Sequence, residues 1–321
     1  MSGKASVSRL AFIGLPALPV RRFLYSLVTI GRQAMALAIL RRGRGQTIAV
    51  GTLVLLLTGF VSFEAICAPK AELWPKWQAH DAGATEIIDH SAWSRFLQAY
   101  VSTDAIDVNR VAYGHVTVAN KEALNGYLEY LSNLPIKLFN RAEQAAYWIN
   151  LYNALTVKLM LDFHPVDSIR DIDISPGLFS DGPWGRTLLE VNDEPVSLDD
   201  IEHRILRPIW KDPRIHYAVN CASVGCPNLA KQAYTGATLE LLLEAGARAY
   251  INSLRGAHFD RKGDLVVSSI YSWFQEDFGA GETAVIKHLR RYAEPILDAK
   301  LAAASGITSY KYDWRVNGVG S

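Results

Sequence analysis

With 321 residues, 50% of them hydrophobic and 20% charged, the chain falls in the globular range, which excludes a disordered or collagen-like polymer and suits one domain, or two at most. The formal net charge of +1 hides an uneven distribution: residues 1–68 hold eight Lys and Arg against the one acid Glu64, and residues 69–321 hold 25 basic against 31 acidic residues. An acidic remainder argues against duplex nucleic acid as a partner, because such domains present a basic surface.

In chain order, the first feature is Arg41-Arg42-Gly43-Arg44 followed by Ile48 to Phe63 without a charge, then Ala65-Ile66-Cys67-Ala68. Basic, apolar and small residues in that order read as a secretory leader, or as a single anchor if it stays uncleaved, with Met1 or Met35 as the start. Either form exports the rest of the chain to a periplasmic or envelope location, with the membrane touched only through the N-terminal segment. Three segments result: a basic region with signal or anchor at 1–68, an irregular lead-in at 69–86, and a globular domain at 87–318.

Within the globular part, Trp93, Phe96, Leu97 and Tyr100 give one face of a short helix over 91–101, and Leu124, Tyr127, Leu128 and Leu131 give another over 117–131. Arg141 to Phe163 is apolar in nearly every direction and predicts a helix in the middle of a core, ended by His164-Pro165. Asn192-Asp193 predicts a hairpin between 186–191 and 195–196, and Ser197 caps a helix that opens Leu198-Asp199-Asp200-Ile201-Glu202-His203. Ile215 to Val219 reads as a buried strand, 238–253 as an amphipathic helix, and Lys262-Gly263 as the turn of a second hairpin. Helices at 270–278 and 282–292 and an extended piece at 309–314 complete the chain. Hairpins among helix clusters predict an α+β fold: an antiparallel sheet packed against a buried central helix and several amphipathic ones, in a single domain.

The chemically loaded stretch is Arg214 to Asn228, where an apolar segment runs into small and polar residues around Cys221 and Cys226. Four readings of the cysteines stand open: a Cys221–Cys226 disulfide suited to an oxidising compartment, a nucleophilic Cys221 activated by His203 or His216, a metal site made with a His, and inert buried thiols. On the central helix, Glu143, Tyr147, Asn150 and Asn153 form a polar stripe that either floors a pocket or ties the packing together. Glu202-His203 is a third element. Trp273-Phe274 beside Glu276-Asp277 is a weaker one, an aromatic platform next to carboxylates. No serine-hydrolase elbow, zincin, P-loop or dinucleotide pattern is present, so no cofactor and no metal is expected.

The runs Ala146 to Leu155, Ser197 to His203, Arg214 to Pro227 and Tyr312-Asp313-Trp314 resemble the family called domain of unknown function 547, over roughly residues 87–318. The resemblance implies motif positions without roles, and plant members that join the domain to a coiled coil imply a scaffold as readily as an enzyme; the leader resembles that of the bacterial, exported kind. It implies that Asn150, Asn153, Glu202, His203, His216, Asn220, Cys221 and Cys226 meet in space. At fold level only, a core helix followed by Cys- and His-bearing strands is also similar to papain-like and transglutaminase-like proteins, although here His203 and His216 precede Cys221.

The leading expectation is a hydrolase or acyl transferase at the cell envelope acting on an unidentified small-molecule or envelope substrate. Cys221 is its candidate nucleophile, His203 or His216 its base, Glu202 a catalytic partner, and Asn150 or Asn220 an orienting group, with Asn153, Asn220, Ser223 and Tyr147 as candidate binding residues. The alternative is a non-catalytic binding or scaffolding domain stapled by Cys221–Cys226.

Overall fold

The computed structural model describes residues 68–177, 182–279 and 281–320. The leader read at 1–68 lies outside them apart from Ala68, and among the described residues no helix is long and apolar enough to cross a membrane.

After a lead-in with one 3-10 turn at Pro75–Gln78, helix α1 (Ser91–Tyr100) buries Trp93, Phe96 and Leu97. A hairpin of β1 (Val101–Thr103) and β2 (Asn109–Val111) comes next, in Val101↔Val111 register. Helix α2 (Val118–Ser132) starts at Thr117, whose side chain accepts the Asn120 amide hydrogen bond. Helix α3 (Arg141–Phe163) is capped by Asn140, which accepts from the Ala142 and Glu143 amides. Nearly every side chain of α3 from Glu143 to Leu161 is buried. That is the consequence of an all-round apolar sequence, since each fully buried Leu or Ile contributes about 1.5–3 kcal/mol.

Strands β3 (Leu189–Val191) and β4 (Glu194–Val196) pair across Asn192-Asp193, both of which have positive φ (47° and 63°), the geometry a two-residue hairpin turn requires. A π-helical stretch, Asp200–Leu206, then leads into α4 (Arg207–Trp210). The expected strand at 215–219 is instead a 3-10 helix, Pro213–Tyr217. Pro213 sits in its first turn and the Asp212 side chain accepts from the Arg214 amide, two start signals that outweigh a short apolar run. Helix α5 (Leu239–Ile251) precedes β5 (Ala257–Phe259) and β6 (Leu265–Ser268). The helix expected over 270–278 breaks at Phe274 into α6 (Ile270–Trp273) and α7 (Gln275–Phe278). Helix α8 (Glu282–Tyr292) and a further helix that the sequence pattern does not announce, α9 (Pro295–Ala302), lead to β7 (Ser309–Lys311).

The class is α+β, with the strands among the described residues distributed over three small sheets rather than one. The last has order β5-β6-β7, in which β6 and β7 run parallel. One apolar core surrounds α3, and a second joins α5, the three-stranded sheet, α7 and α8.

The C-terminal strip after β7 fixes the cysteine loop. The Val224 amide donates to Arg315 O (2.7 Å), the Gly225 amide to Asp313 O (2.8 Å), and the Asn317 amide to Ala222 O (3.0 Å). A Cβ added at Gly225 would stand 2.6 Å from the Asp313 nitrogen, a main-chain atom that cannot swing away. Gly225→Ala is therefore expected to separate loop and strip and to cost about 1–3 kcal/mol in thermal unfolding, the usual penalty for overpacking.

Candidate functional site

The geometry of the site begins with the π-helical stretch. Its wider turn is closed by the Arg207 amide donating to Glu202 O, and it sets Asp199, Glu202, His203 and Arg207 toward α6 and α7. Arg207 is buried. Its Nε donates to Asp277 Oδ2 (2.6 Å), one Nη to Glu276 Oε1 (3.3 Å), and the other to Pro69 O (2.8 Å) and to His203 Nδ1 (3.0 Å). Because a guanidinium cannot accept, His203 Nδ1 is the acceptor and the ring proton sits on Nε2, which faces Asp199 Oδ1 at 3.6 Å. Burial, aided by the Arg207 and His216 charges, lowers His203 to about 4 against the pull of Glu202, so its ring is neutral at pH 7.

His216, on the 3-10 helix, lies between two carboxylates, with Nε2 2.6 Å from Asp277 Oδ2 and Nδ1 3.5 Å from Glu202 Oε1. Burial works against its charge, but hydrogen bonds to both acids raise its pKa above the ordinary value. Glu202 and Asp277 each fall to about 2, because their cationic partners and hydrogen bonds outweigh desolvation. The Phe274 ring stacks on His216 at 4.6 Å and receives the Arg207 guanidinium at 4.6 Å. Both nitrogens of His216 are thus occupied by carboxylates, which favour its protonated form and leave no ring nitrogen turned to Cys221. Asp199 is the titrating group: burial, then the neighbouring Glu202 and Asp200 charges, push it up to about 7, although 38% of its side chain remains exposed.

Cys221 comes shortly after the 3-10 helix and is half-buried. Its Sγ stands 2.9 Å from Cys226 Sγ, 3.1 Å from the Tyr312 hydroxyl and 3.2 Å from Ser223 Oγ, and the Cys221 amide donates to Cys226 Sγ at 2.9 Å. Both cysteines are free thiols. The expected disulfide is not formed, since 2.9 Å is a hydrogen-bond contact well beyond the roughly 2.05 Å of an S–S bond. Desolvation opposes ionisation of Cys221, but its hydrogen bonds with Cys226, Ser223 and Tyr312 prevail and lower its pKa, whereas burial and the adjacent Cys221 hold Cys226 well above the thiol range. Ser223 donates its one hydroxyl proton to Tyr312 (3.0 Å), and Tyr312, itself pushed up by burial and the thiols, keeps its own proton for Cys221. Tyr312→Phe is accordingly expected to raise the Cys221 pKa, read as a displaced pH titration of thiolate absorbance.

The loop that carries Cys221 is rigid and locally strained. Ala222 has φ 59°, a left-handed conformation costing a non-glycine residue about 1–3 kcal/mol, and the Asn220 side chain holds it by accepting from the Ala222 amide (2.9 Å). The Asn220 amide group donates to Pro227 O (2.6 Å), the Tyr250 hydroxyl donates to Gly225 O (2.7 Å), and Arg255 donates to Cys226 O (2.7 Å).

Cys221, Cys226, Asp199, Glu202, His203 and His216 share one cavity of about 430 Å³, a volume suited to a small organic ligand. Its aromatic wall is Trp184, Trp273, Trp314 and Tyr312, with Trp273 and Trp314 stacked at 5.5 Å and Tyr312 4.6 Å from Trp314. From α3 the cavity receives Tyr152 rather than the polar stripe. The stripe is spent on main chain. Asn150 bonds the Tyr234 carbonyl and amide, Asn153 the Ala218 carbonyl and Asn220 amide, Glu143 the Ile88 and Gly236 amides, and the Tyr147 hydroxyl donates to Leu131 O. Asn150, Asn153, Asn220 and Tyr147 are thus engaged with main chain and do not line the cavity; Ser223 lies behind Cys221, bonded to Tyr312. Among the described residues no group of three or more His, Cys, Asp and Glu side chains is arranged to hold a metal ion.

Sequence reasoning passed over Asp199, Arg207 and Trp184. For Tyr312 and Trp314 the available signal was the Tyr312-Asp313-Trp314 string, and for Trp273 and Asp277 the aromatic-acid cluster at 273–277.

A family model described as "Protein of unknown function, DUF547" matches residues 136–251, a stretch that contains α3, the π-helical turn and the cysteine loop but not Asp277 or Tyr312. No curated protein and no solved structure matches the chain. Residues 136–251 are thus the part of the chain that matches the family of domain of unknown function 547.

Proposed function

We propose that the domain is a thiol-dependent acyl transferase or hydrolase of the cell envelope, with Cys221 as nucleophile. The observation that carries this reading is a half-buried thiol of lowered pKa at the wall of a cavity that also contains a carboxyl group titrating near neutrality. A thiolate already stabilised by its neighbours needs no histidine in contact with it. Cys221 Sγ attacks an acyl carbonyl. The Tyr312 hydroxyl, relieved of its thiolate acceptor as the S–C bond forms, becomes the donor at hand for the oxyanion. The departing group takes a proton from Asp199, whose carboxylate, beside the neutral His203, then receives the proton of the water or acceptor that cleaves the thioester. Glu202, His216, Asp277 and Arg207 form the charged frame behind this pair. The basic, apolar and small-residue order at 41–68 supports action outside the cytoplasm.

Incubation with an activated aryl ester tests the reading. Expected is one acyl group per chain, mapped by mass to the peptide containing Cys221 and absent in Cys221→Ser. Undiminished acylation of Cys221→Ser would leave the binding-domain reading in its place.

A further inference from the structure

The two thiols differ in a way that acyl transfer does not require. Cys221 is half-buried on the cavity, whereas Cys226 beside it is 5% exposed, with Sγ atoms 2.9 Å apart. The Cys221 amide also donates to Cys226 Sγ, so a negative charge arising on that sulfur meets a donor already in place. The intervening loop, with Ala222 in a left-handed conformation and its carbonyls held by Arg255 and Tyr250, keeps the sulfurs in contact without bonding them. A partly buried thiol on a ligand cavity and a nearly buried thiol in contact with it on the same wall form an attacking and resolving pair.

We infer that Cys221 and Cys226 carry out thiol–disulfide exchange, with a small disulfide entering the aromatic-walled cavity as the oxidant. Cys221 thiolate attacks one sulfur of the incoming disulfide, forming a mixed disulfide and expelling the first thiolate. Cys226 gives its proton to that leaving thiolate and attacks Cys221 Sγ; the Cys221–Cys226 bond forms and the second thiolate departs to take a proton from water. Two electrons pass from the cysteine pair to the substrate, whose two halves leave as thiols. The inference shares its nucleophile with the acyl-transfer reading but needs no acyl chemistry, and the oxidised pair has no thiolate left for acyl transfer.

The test uses the full chain carrying Cys67→Ser, reduced, freed of reductant and mixed with excess cystine, with released cysteine counted and the protein weighed intact. Expected are two thiols per chain and a protein lighter by two hydrogens. Cys226→Ser in the same background is expected to release one thiol and to keep a half-cystine on Cys221, a twofold change in stoichiometry. Release of none, or a wild-type pair that stops at the mixed disulfide with one thiol released, overturns the inference, and that result does not depend on how the variant folds. A chain that exchanges disulfides but takes no acyl group contradicts the acyl-transfer reading alone; one that takes the acyl group yet releases fewer than two thiols contradicts this one alone.

Discussion

Replacing Arg207 with Met is expected to cost about 3–5 kcal/mol in chemical denaturation, the scale on which breaking a buried ion pair from one side destabilises a protein. The Arg207 side chain is 2% exposed and answers Asp277, Glu276, His203 Nδ1 and the Pro69 carbonyl at once. Methionine keeps much of the volume and removes every donor, so the loss comes from charges and lone pairs left unmatched rather than from a cavity. The control is Glu276→Gln. Its carboxylate is 59% exposed, and an exposed pair is worth at most about 1 kcal/mol. The same frame sets a pH dependence. Glu202 and Asp277, held near 2, contribute their full stability above the ordinary carboxylate values of 4.5 and 3.8 and lose it as the pH falls toward 2. His216, raised above 6.5, contributes fully below 6.5 and loses its share as the pH climbs through its folded value. His203 runs with the two carboxylates and against His216, since its depression to about 4 favours the unfolded chain progressively as the pH drops from 6.5.

Asp199→Asn is expected to lower acyl turnover by about 10²- to 10⁴-fold, the usual contribution of a positioned acid–base group, while Cys221 is still acylated by an activated ester whose leaving group needs no proton. Asparagine preserves the shape and the contact with His203 Nε2 but cannot exchange a proton. The pH–rate profile separates this from a merely structural effect. With Asp199 at about 7 the native profile has a limb near neutrality, and the variant loses that limb. A variant that keeps the limb assigns it to another group.

Much of the fold was legible because single segments carry their own evidence. Arg141 to Phe163 is apolar in nearly every direction apart from one narrow polar stripe, which marks it as central, and Asn192-Asp193 has side chains that tolerate the positive φ of a tight hairpin. The segment Ile215 to Val219 was not legible as a 3-10 helix. Four apolar positions around His216 fit a buried strand as well as a buried helical turn, and the deciding signals, Asp212 and Pro213, lie before it. The candidate site was legible only in part, for a different reason. Spacing on α3 placed Asn150 and Asn153 on one stripe, but their partners Tyr234 and Ala218 lie 84 and 65 residues away, and only those partners reveal that the amides hold loops rather than line the cavity. Likewise the proton donor Tyr312 stands 91 residues after Cys221, and it reaches the thiol through the pairing of β7 with β6 and the strip beyond it. The π-helical turn, which aims Asp199 and His203, depends on the Arg207–Glu202 main-chain bond rather than on any local pattern.

The central claim is that Cys221 is the reactive thiolate and Cys226 the protected thiol behind it. The most direct measurement is the rate of alkylation of each, resolved by peptide mass, as a function of pH on the reduced native chain. The account predicts that Cys221 is modified first at every pH, with a titration midpoint below the ordinary thiol value, and that Cys226 reacts only once the chain is unfolded. Equal rates for the two cysteines, or a Cys221 midpoint at or above that of a free thiol, would contradict it.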